Sequence, residues 1–397
     1  MKKRFRHVLF YTLFRPLFRI GIWIRYRYWG KKYRNKDVKG PYLILGNHTM
    51  NADPFMLALS FREPIYFVAS DMIFTIPVLS KIISYLVQPI SKSKYKADTD
   101  TVKNMIRVSK SGGSIGIFPE GNRTFSGKPM TIPFSTAKLV KLLKLPVLFY
   151  RIEGGYLTSP RWSKKYRRGK VRGYVHQTWT YEDYKDLSID EIYNHIVSGL
   201  GVNDFDMQKI NPRPFKGKDK AEYIERAFFI SPVTKKLGTI YSEGDYVYDT
   251  SSALKLKYNH YGLLENLGGT QYFERTTDWY NFQSKVVEEV IHSSDDKVLS
   301  VDAVSIYELK GRKKKLLGET SLSLYKDHFS YTMNNETIIW KYDDIYPAVQ
   351  YSNTFICYNK TNEHTIFFTG NERFCALKYV MFAKAYQKVV LNYDSEL

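Results

Sequence analysis

The feature that most constrains this chain is a regular alternation of short apolar runs with segments of helical spacing, between residues 42 and 200. The runs at 42–46, 65–69, 83–90, 114–118, 146–152 and 170–177 read as strands. The intervening 54–61, 75–83, 99–110, 135–144 and 189–199 read as helices. Runs such as Tyr42-Leu43-Ile44-Leu45 are apolar at successive positions, which suits a strand covered on both faces. Strand–helix alternation of this kind predicts an α/β fold, with a mostly parallel sheet and helices on both faces. In such sheets ligands gather beyond the carboxyl ends of the strands, so those junctions are where chemistry is to be sought.

Two junctions stand out. The run at 42–46 leads into Asn47-His48-Thr49-Met50-Asn51-Ala52-Asp53 and then Pro54, which suits a first helical position after an Asp53 cap. On a continuous helix, five positions of separation would put His48 and Asp53 on different faces. In a turn the chain can fold back and bring carboxylate to imidazole, the pairing a histidine general base needs. The plainer reading is a loop histidine beside an ordinary cap. The run at 114–117 leads into Phe118-Pro119-Glu120-Gly121-Asn122-Arg123-Thr124. Arg123 offers a planar fork suited to phosphate, and Gly121 permits a tight turn and close ligand approach. Glu120 is placed to orient Arg123 or to accept from a substrate hydroxyl. Here the plainer reading is a Pro-Gly turn with a surface arginine.

Together, in this order, the two stretches closely resemble the glycerolipid acyltransferase family, whose hallmarks are N-H-x-x-x-x-D and F-P-E-G-x-R-[ST]. The resemblance implies catalysis by His48 and Asp53, with Asn47, Glu120, Gly121, Arg123 and Thr124 binding substrate. Relatives also carry a phosphate-holding arginine between these blocks. Here the segment is Gln88-Pro89-Ile90-Ser91-Lys92-Ser93-Lys94-Tyr95-Lys96, and Lys92 and Lys94 are the candidates to replace it. Of the family's last, V-P-V-x-P-like strand, Leu145-Pro146-Val147-Leu148-Phe149-Tyr150 keeps only the first proline.

Charge bears on the partner. Sixty basic against 39 acidic residues give a net +21, so an anionic partner is expected. No helix-turn-helix, RNA-binding or zinc-finger signature accompanies the charge, which disfavours nucleic acid. An anionic phospholipid membrane is the better match. Residues 4–29 mix arginines with Phe5, Leu9, Phe10, Leu13, Phe14, Leu17, Phe18, Ile20, Trp23 and Ile24, a composition suited to the headgroup zone of a bilayer. The alternative is a helix packed on the protein's own body. Pro16 is expected to kink or divide this segment. No stretch reaches the roughly 18 apolar residues of a spanning helix, and no apolar leader is evident, so a peripheral or monotopic protein at the cytoplasmic face of a membrane is expected. In Arg161–Arg172, Trp162 and Tyr166 among basic residues suggest a membrane-facing or acyl-carrier-facing edge.

The expected organisation is a membrane-associating N-terminus (1–38), an acyltransferase domain (39–205), a linker with a ribbon-like segment (206–275) and a C-terminal, mainly β domain (276–397). The third part weakly resembles a zinc ribbon of some bacterial relatives. Ser231 and Thr234 stand where its first cysteines would be, and no C-x-x-C lies near Asp249–Ser252, so no metal is expected. The fourth part has many short alternating stretches and then one amphipathic helix. It resembles the pleckstrin-homology/GRAM architecture, with Arg312-Lys313-Lys314-Lys315 expected in a turn between strands.

Taken whole, the resemblance implies transfer of a fatty acyl group from acyl-CoA or acyl-carrier protein to lysophosphatidate, giving phosphatidate, with no cofactor beyond that co-substrate. One alternative is the same transfer to another glycerolipid or lipid hydroxyl. Another is a non-catalytic, lipid-binding membrane adaptor.

Overall fold

The computed structural model describes residues 2–35, 37–70, 88–92, 99–295, 297–310, 313–361 and 364–392. Its described residues fall into two compact units, one of 2–160 and 168–215, the other of 161–167 and 216–392.

The first unit is built on seven strands: β1 (Tyr28–Gly30), β2 (Leu43–Gly46), β3 (Ile65–Ser70), β4 (Ile90–Lys92), β5 (Ser114–Ile117), β6 (Val147–Glu153) and β7 (Val171–Trp179). Their order is β1-β7-β6-β2-β5-β3-β4. Every pairing is parallel except β6 with β7, so the sheet is mostly parallel as expected. β2 lies centrally and is wholly buried. Its alternate residues serve two cores. Leu43 and Leu45 join Ile115, Val147 and Phe149 on one face, and Ile44 joins Ile65, Leu148 and Ile152 on the other. The first face is covered by α3 (Thr99–Lys110), α4 (Ser135–Leu143) and α5 (Ile189–Leu200). The second takes Ile22 and Tyr26 from α1 (Lys2–Tyr26) and Met56 and Leu57 from α2 (Asp53–Ala58). Ser188 and Glu191 start α5 with a reciprocal capping box.

Several expectations shift. The helix expected at 75–83 and most of the strand at 83–90 lie outside the described residues. α1 is a single 25-residue helix, and Pro16 lies inside it without ending it. Residues 203–220 do not form a plain linker: Asn203 caps a helix over Asp204–Ile210, and Asp204 is buried. In Arg161–Arg167 the two aromatics named from sequence part ways, Tyr166 being exposed and Trp162 not. Trp162 is wholly buried, with the Arg167 guanidinium 5.1 Å from its ring.

The second unit opens with an antiparallel meander, β8 (Ile240–Glu243), β9 (Tyr246–Asp249), β10 (Lys255–Tyr258) and β11 (Leu264–Asn266). Helix α6 (Thr276–His292) follows, and the sequence reading missed it. It is tied down by Trp279 Nε1 donating to Ile230 O, and by Gln283, which accepts from Phe229 N and donates to Ala227 O. Seven antiparallel strands come next: β12 (Ser300–Lys310), β13 (Lys313–Leu324), β14 (His328–Met333), β15 (Glu336–Lys341), β16 (Ile345–Gln350), β17 (Thr354–Asn359) and β18 (Thr365–Gly370). Their order is β15-β14-β13-β12-β18-β17-β16. Phe329, Phe355 and Phe368 meet inside, with centroids 5.3–5.8 Å apart. Tyr379 of the closing helix α7 (Ala376–Val389) stacks on Phe355 at 5.2 Å. This is the mainly β, helix-closed architecture expected. Lys313–Lys315 begin β13 instead of lying in a turn, and Arg312 is outside the described residues.

Candidate active site

The site starts where β2 ends. After Gly46 the chain turns through Asn47–Ala52 before α2 begins. Asn47 extends the β2–β6 pairing through its side chain: Nδ2 donates to Ile152 O at 2.9 Å and Oδ1 accepts from Ile152 N at 2.7 Å. Asp53 is the first residue of α2, and Ala52 takes the cap position expected for Asp53. The carboxylate therefore does not cap its own helix but reaches back over the turn. Oδ2 accepts from Thr49 N at 2.6 Å, from Met50 N at 2.9 Å and from His48 Nδ1 at 2.8 Å. Asp53 is fully buried, so these donors replace the water a lone carboxylate would demand. With Nδ1–H given to the carboxylate, Nε2 carries the free lone pair, and the imidazole remains about one-fifth exposed.

The imidazole rests on Phe118, centroids 4.8 Å apart and planes 29° from parallel. Gly46 makes room for that ring, since a Cβ there would fall 2.9 Å from Phe118 Cε1. The loop after β5 grips His48 by its backbone. His48 N donates to Glu120 Oε1 at 2.8 Å, and Thr124 N donates to His48 O at 3.2 Å. Arg123 is thus held between two residues that bond to the histidine's main chain. The two junctions named from sequence come together in one place.

The loop side chains are tied into the fold by hydrogen bonds. The second oxygen of Glu120 accepts from Met130 N at 2.7 Å. Burial pushes its carboxyl up to about 8, against those two N–H donors and with help from the negative Asp53. Thr124 closes its own turn, donating to Lys128 O and accepting from Ser126 N and Gly127 N. Asn47, Glu120 and Thr124 are braces whose side chains are already engaged. Gly121 is exposed with φ +66°, a conformation glycine adopts without strain. Lys92 is the exposed last residue of β4, and Lys94 lies outside the described residues.

Sequence reasoning missed Phe118 as a platform and the N–H groups of Thr49 and Met50 as donors. Main-chain donors carry no residue signature, but the aromatic directly after the β5 run was visible. Among the described residues no group of His, Cys, Asp and Glu forms a metal site.

Residues 25–152 match the acyltransferase family model. A chloroplastic 1-acyl-sn-glycerol-3-phosphate acyltransferase of Brassica napus is 26% identical over 164 residues, 41% of this chain and 47% of the relative. An enzyme of the same name from Borreliella burgdorferi is 26% identical over 162 residues, 38% of this chain and 62% of the relative. The chain thus spans about half to three-fifths of the length of these relatives. Among solved structures, the 1-acyl-sn-glycerophosphate acyltransferase PlsC of Thermotoga maritima aligns at 18% identity and a TM-score of 0.42. That alignment covers 52% of this chain and 81% of that one.

Proposed function

We propose that this protein moves a fatty acyl group from an acyl thioester, acyl-CoA or acyl-carrier protein, to the free hydroxyl of lysophosphatidate, forming phosphatidate. The observation that carries the reading is the 2.8 Å His48–Asp53 contact at the end of β2, bracketed by the loop that holds Arg123. His48 Nε2 takes the hydroxyl proton as the oxygen attacks the thioester carbonyl. The carbonyl carbon becomes tetrahedral, with its negative charge on oxygen. When it collapses the C–S bond breaks, and the imidazolium returns the proton to the departing sulfur. Asp53 supports the imidazolium through the Nδ1 hydrogen bond. Arg123 holds the acceptor's phosphate, which sets the hydroxyl against Nε2. No step calls for a metal or a tightly bound cofactor.

The setting proposed is the cytoplasmic face of a membrane, peripheral or monotopic. No described helix is long and apolar enough to cross one. α1 instead carries Phe5, Leu9, Leu13, Leu17, Ile20 and Ile24 along one stripe, each more than half exposed. Its other side is anchored by Tyr11, which donates to Ala58 O and Phe61 O, and by Arg15, which donates to Leu59 O. An unpartnered apolar stripe flanked by arginines favours a bilayer surface.

Incubated with lysophosphatidate and a long-chain acyl thioester, the protein should release free thiol. His48→Ala should lower that rate by about 10²–10⁴-fold with unchanged thermal stability. Full activity in this variant would remove the mechanism. Equal rates across an acceptor panel would point to the other-acceptor reading, and no thiol release with any acceptor would leave the adaptor.

A further inference from the structure

The foot of α1 holds a second feature that the transfer reaction does not use. A cleft of about 370 Å³ opens between the end of α1, β1 and the residue after α2. Arg19, Trp23, Tyr28, Trp29, Lys32 and Leu59 line it. Its floor is Tyr28, buried and fixed by hydrogen bonds of its hydroxyl to Met56 O at 2.7 Å and Tyr150 at 2.6 Å. Its walls are two half-exposed indoles, and Lys170 Nζ lies 5.9 Å from the Trp29 ring. Among the described residues neither Arg19 nor Lys32 has an acidic partner. The first forty residues contain thirteen basic side chains and one acidic one, Asp37. Ile20, on the same wall, belongs to the exposed apolar stripe of α1.

Two unpaired cations inside a concavity rimmed by tryptophans, at the border of an apolar stripe, have a specific chemistry. A phosphate is held by the cations, indole rings settle at the glycerol level, and acyl chains continue along the stripe. We propose that this cleft binds the headgroup of an anionic bilayer phospholipid that is separate from the acyl acceptor. The inference rests on α1 facing the bilayer, not on His48 catalysis. A lipid held there lies against Tyr28 and Leu59, and so touches the layer that carries α2.

The test is co-sedimentation of the full chain with vesicles of phosphatidylcholine alone, or of phosphatidylcholine mixed with phosphatidylglycerol. Arg19→Gln with Lys32→Gln removes the two lining cations. Arg34→Gln with Lys39→Gln removes the same charge from exposed positions outside the cleft. General attraction to a charged surface weakens both doubles alike. A headgroup site predicts that the cleft double binds the anionic vesicles about tenfold more weakly than the control double, a gap of about 1.4 kcal/mol. Soluble glycerol 3-phosphate should not release the protein, because the apolar part of the lipid contributes. Equal loss in the two doubles, or release by the soluble phosphate, overturns the cleft as a lipid site. Failure of the unmodified protein to bind any vesicle sinks the bilayer-facing reading of α1 as well, while the thiol-release assay judges the transfer reaction separately.

Discussion

Two turns in this molecule are organised by a buried carboxylate, and they end in opposite kinds of structure. In the first unit, Asp53 gathers the N–H groups of Thr49 and Met50 and the imidazole of His48. In the second, Asp249 accepts from the hydroxyls of Ser231 at 2.7 Å, Ser251 at 2.8 Å and Ser252 at 2.5 Å. Ser231 in turn accepts from Val233 N and Thr234 N, and Thr234 and Ser251 share a 2.6 Å contact. The difference lies in what the carboxylate holds. An imidazole fixed by one nitrogen still presents the other, so the first turn leaves a base facing outward. Hydroxyls spend their donors on the carboxylate and accept from the local backbone, so the second turn closes on itself. Burial works against the charge of Asp249, yet the bonds from Ser252, Ser251 N–H, Thr239 and Ser231 hold it well below the usual carboxylate range. A buried acid is a scaffold in both turns, and its partner decides whether the result is reactive.

Substitutions at each carboxylate sharpen the contrast. Asp53→Asn should strike twice. The amide points N–H groups at donors, which mis-sets the imidazole, and thiol release should fall by about 10²–10⁴-fold. The lost acceptor should also lower stability by about 1–3 kcal/mol in urea unfolding. A rate within twofold of the parent, with a normal melt, would break the claim that this acid orients the base. Asp249→Asn should show only the second effect, about 1–3 kcal/mol, with thiol release per folded molecule unchanged. A large rate loss there would mean that the closed turn takes part in chemistry.

Glu120 gives the subtlest test, because it is a scaffold beside the reactive turn. Its carboxyl holds a proton up to about 8 when folded, against an ordinary 4.5. The unfolded chain therefore releases that proton first, and stability falls as pH rises through this window. Glu120→Gln does not titrate, so the slope of urea midpoint against pH should flatten between about pH 5 and 8. Parallel slopes for the two proteins would show that burial of this acid is not coupled to folding.

What the sequence made legible follows the same division. β2 and β5 were plain because strands covered on both faces read as unbroken apolar runs. His48, Asp53, Arg123 and Gly121 were visible because each residue type fits a chemical task. The bracing roles of Asn47, Glu120 and Thr124 were not visible, since a side chain that bonds to a distant main-chain group looks the same in sequence as one that awaits a ligand. α6 was missed although Trp279, Val286, Val287 and Ile291 recur at helical spacing; Trp279 and Gln283 also tie it down by tertiary bonds. Trp162 misled in the opposite direction. An aromatic among lysines and arginines suggests an interface, and here its ring is stacked under a buried arginine instead.

That same short piece, Arg161–Arg167, has a consequence for how the chain could ever be divided. The polypeptide leaves the first unit, lends seven residues to the second and returns, so among the described residues the backbone passes between the units three times. A fragment cut after Phe215 would carry Trp162 and Arg167 with nothing to enclose them. The complementary fragment would be born with a hole of matching shape. With Trp162 and Arg167 supplied from the earlier part of the chain, the second unit completes its core only once both parts are present.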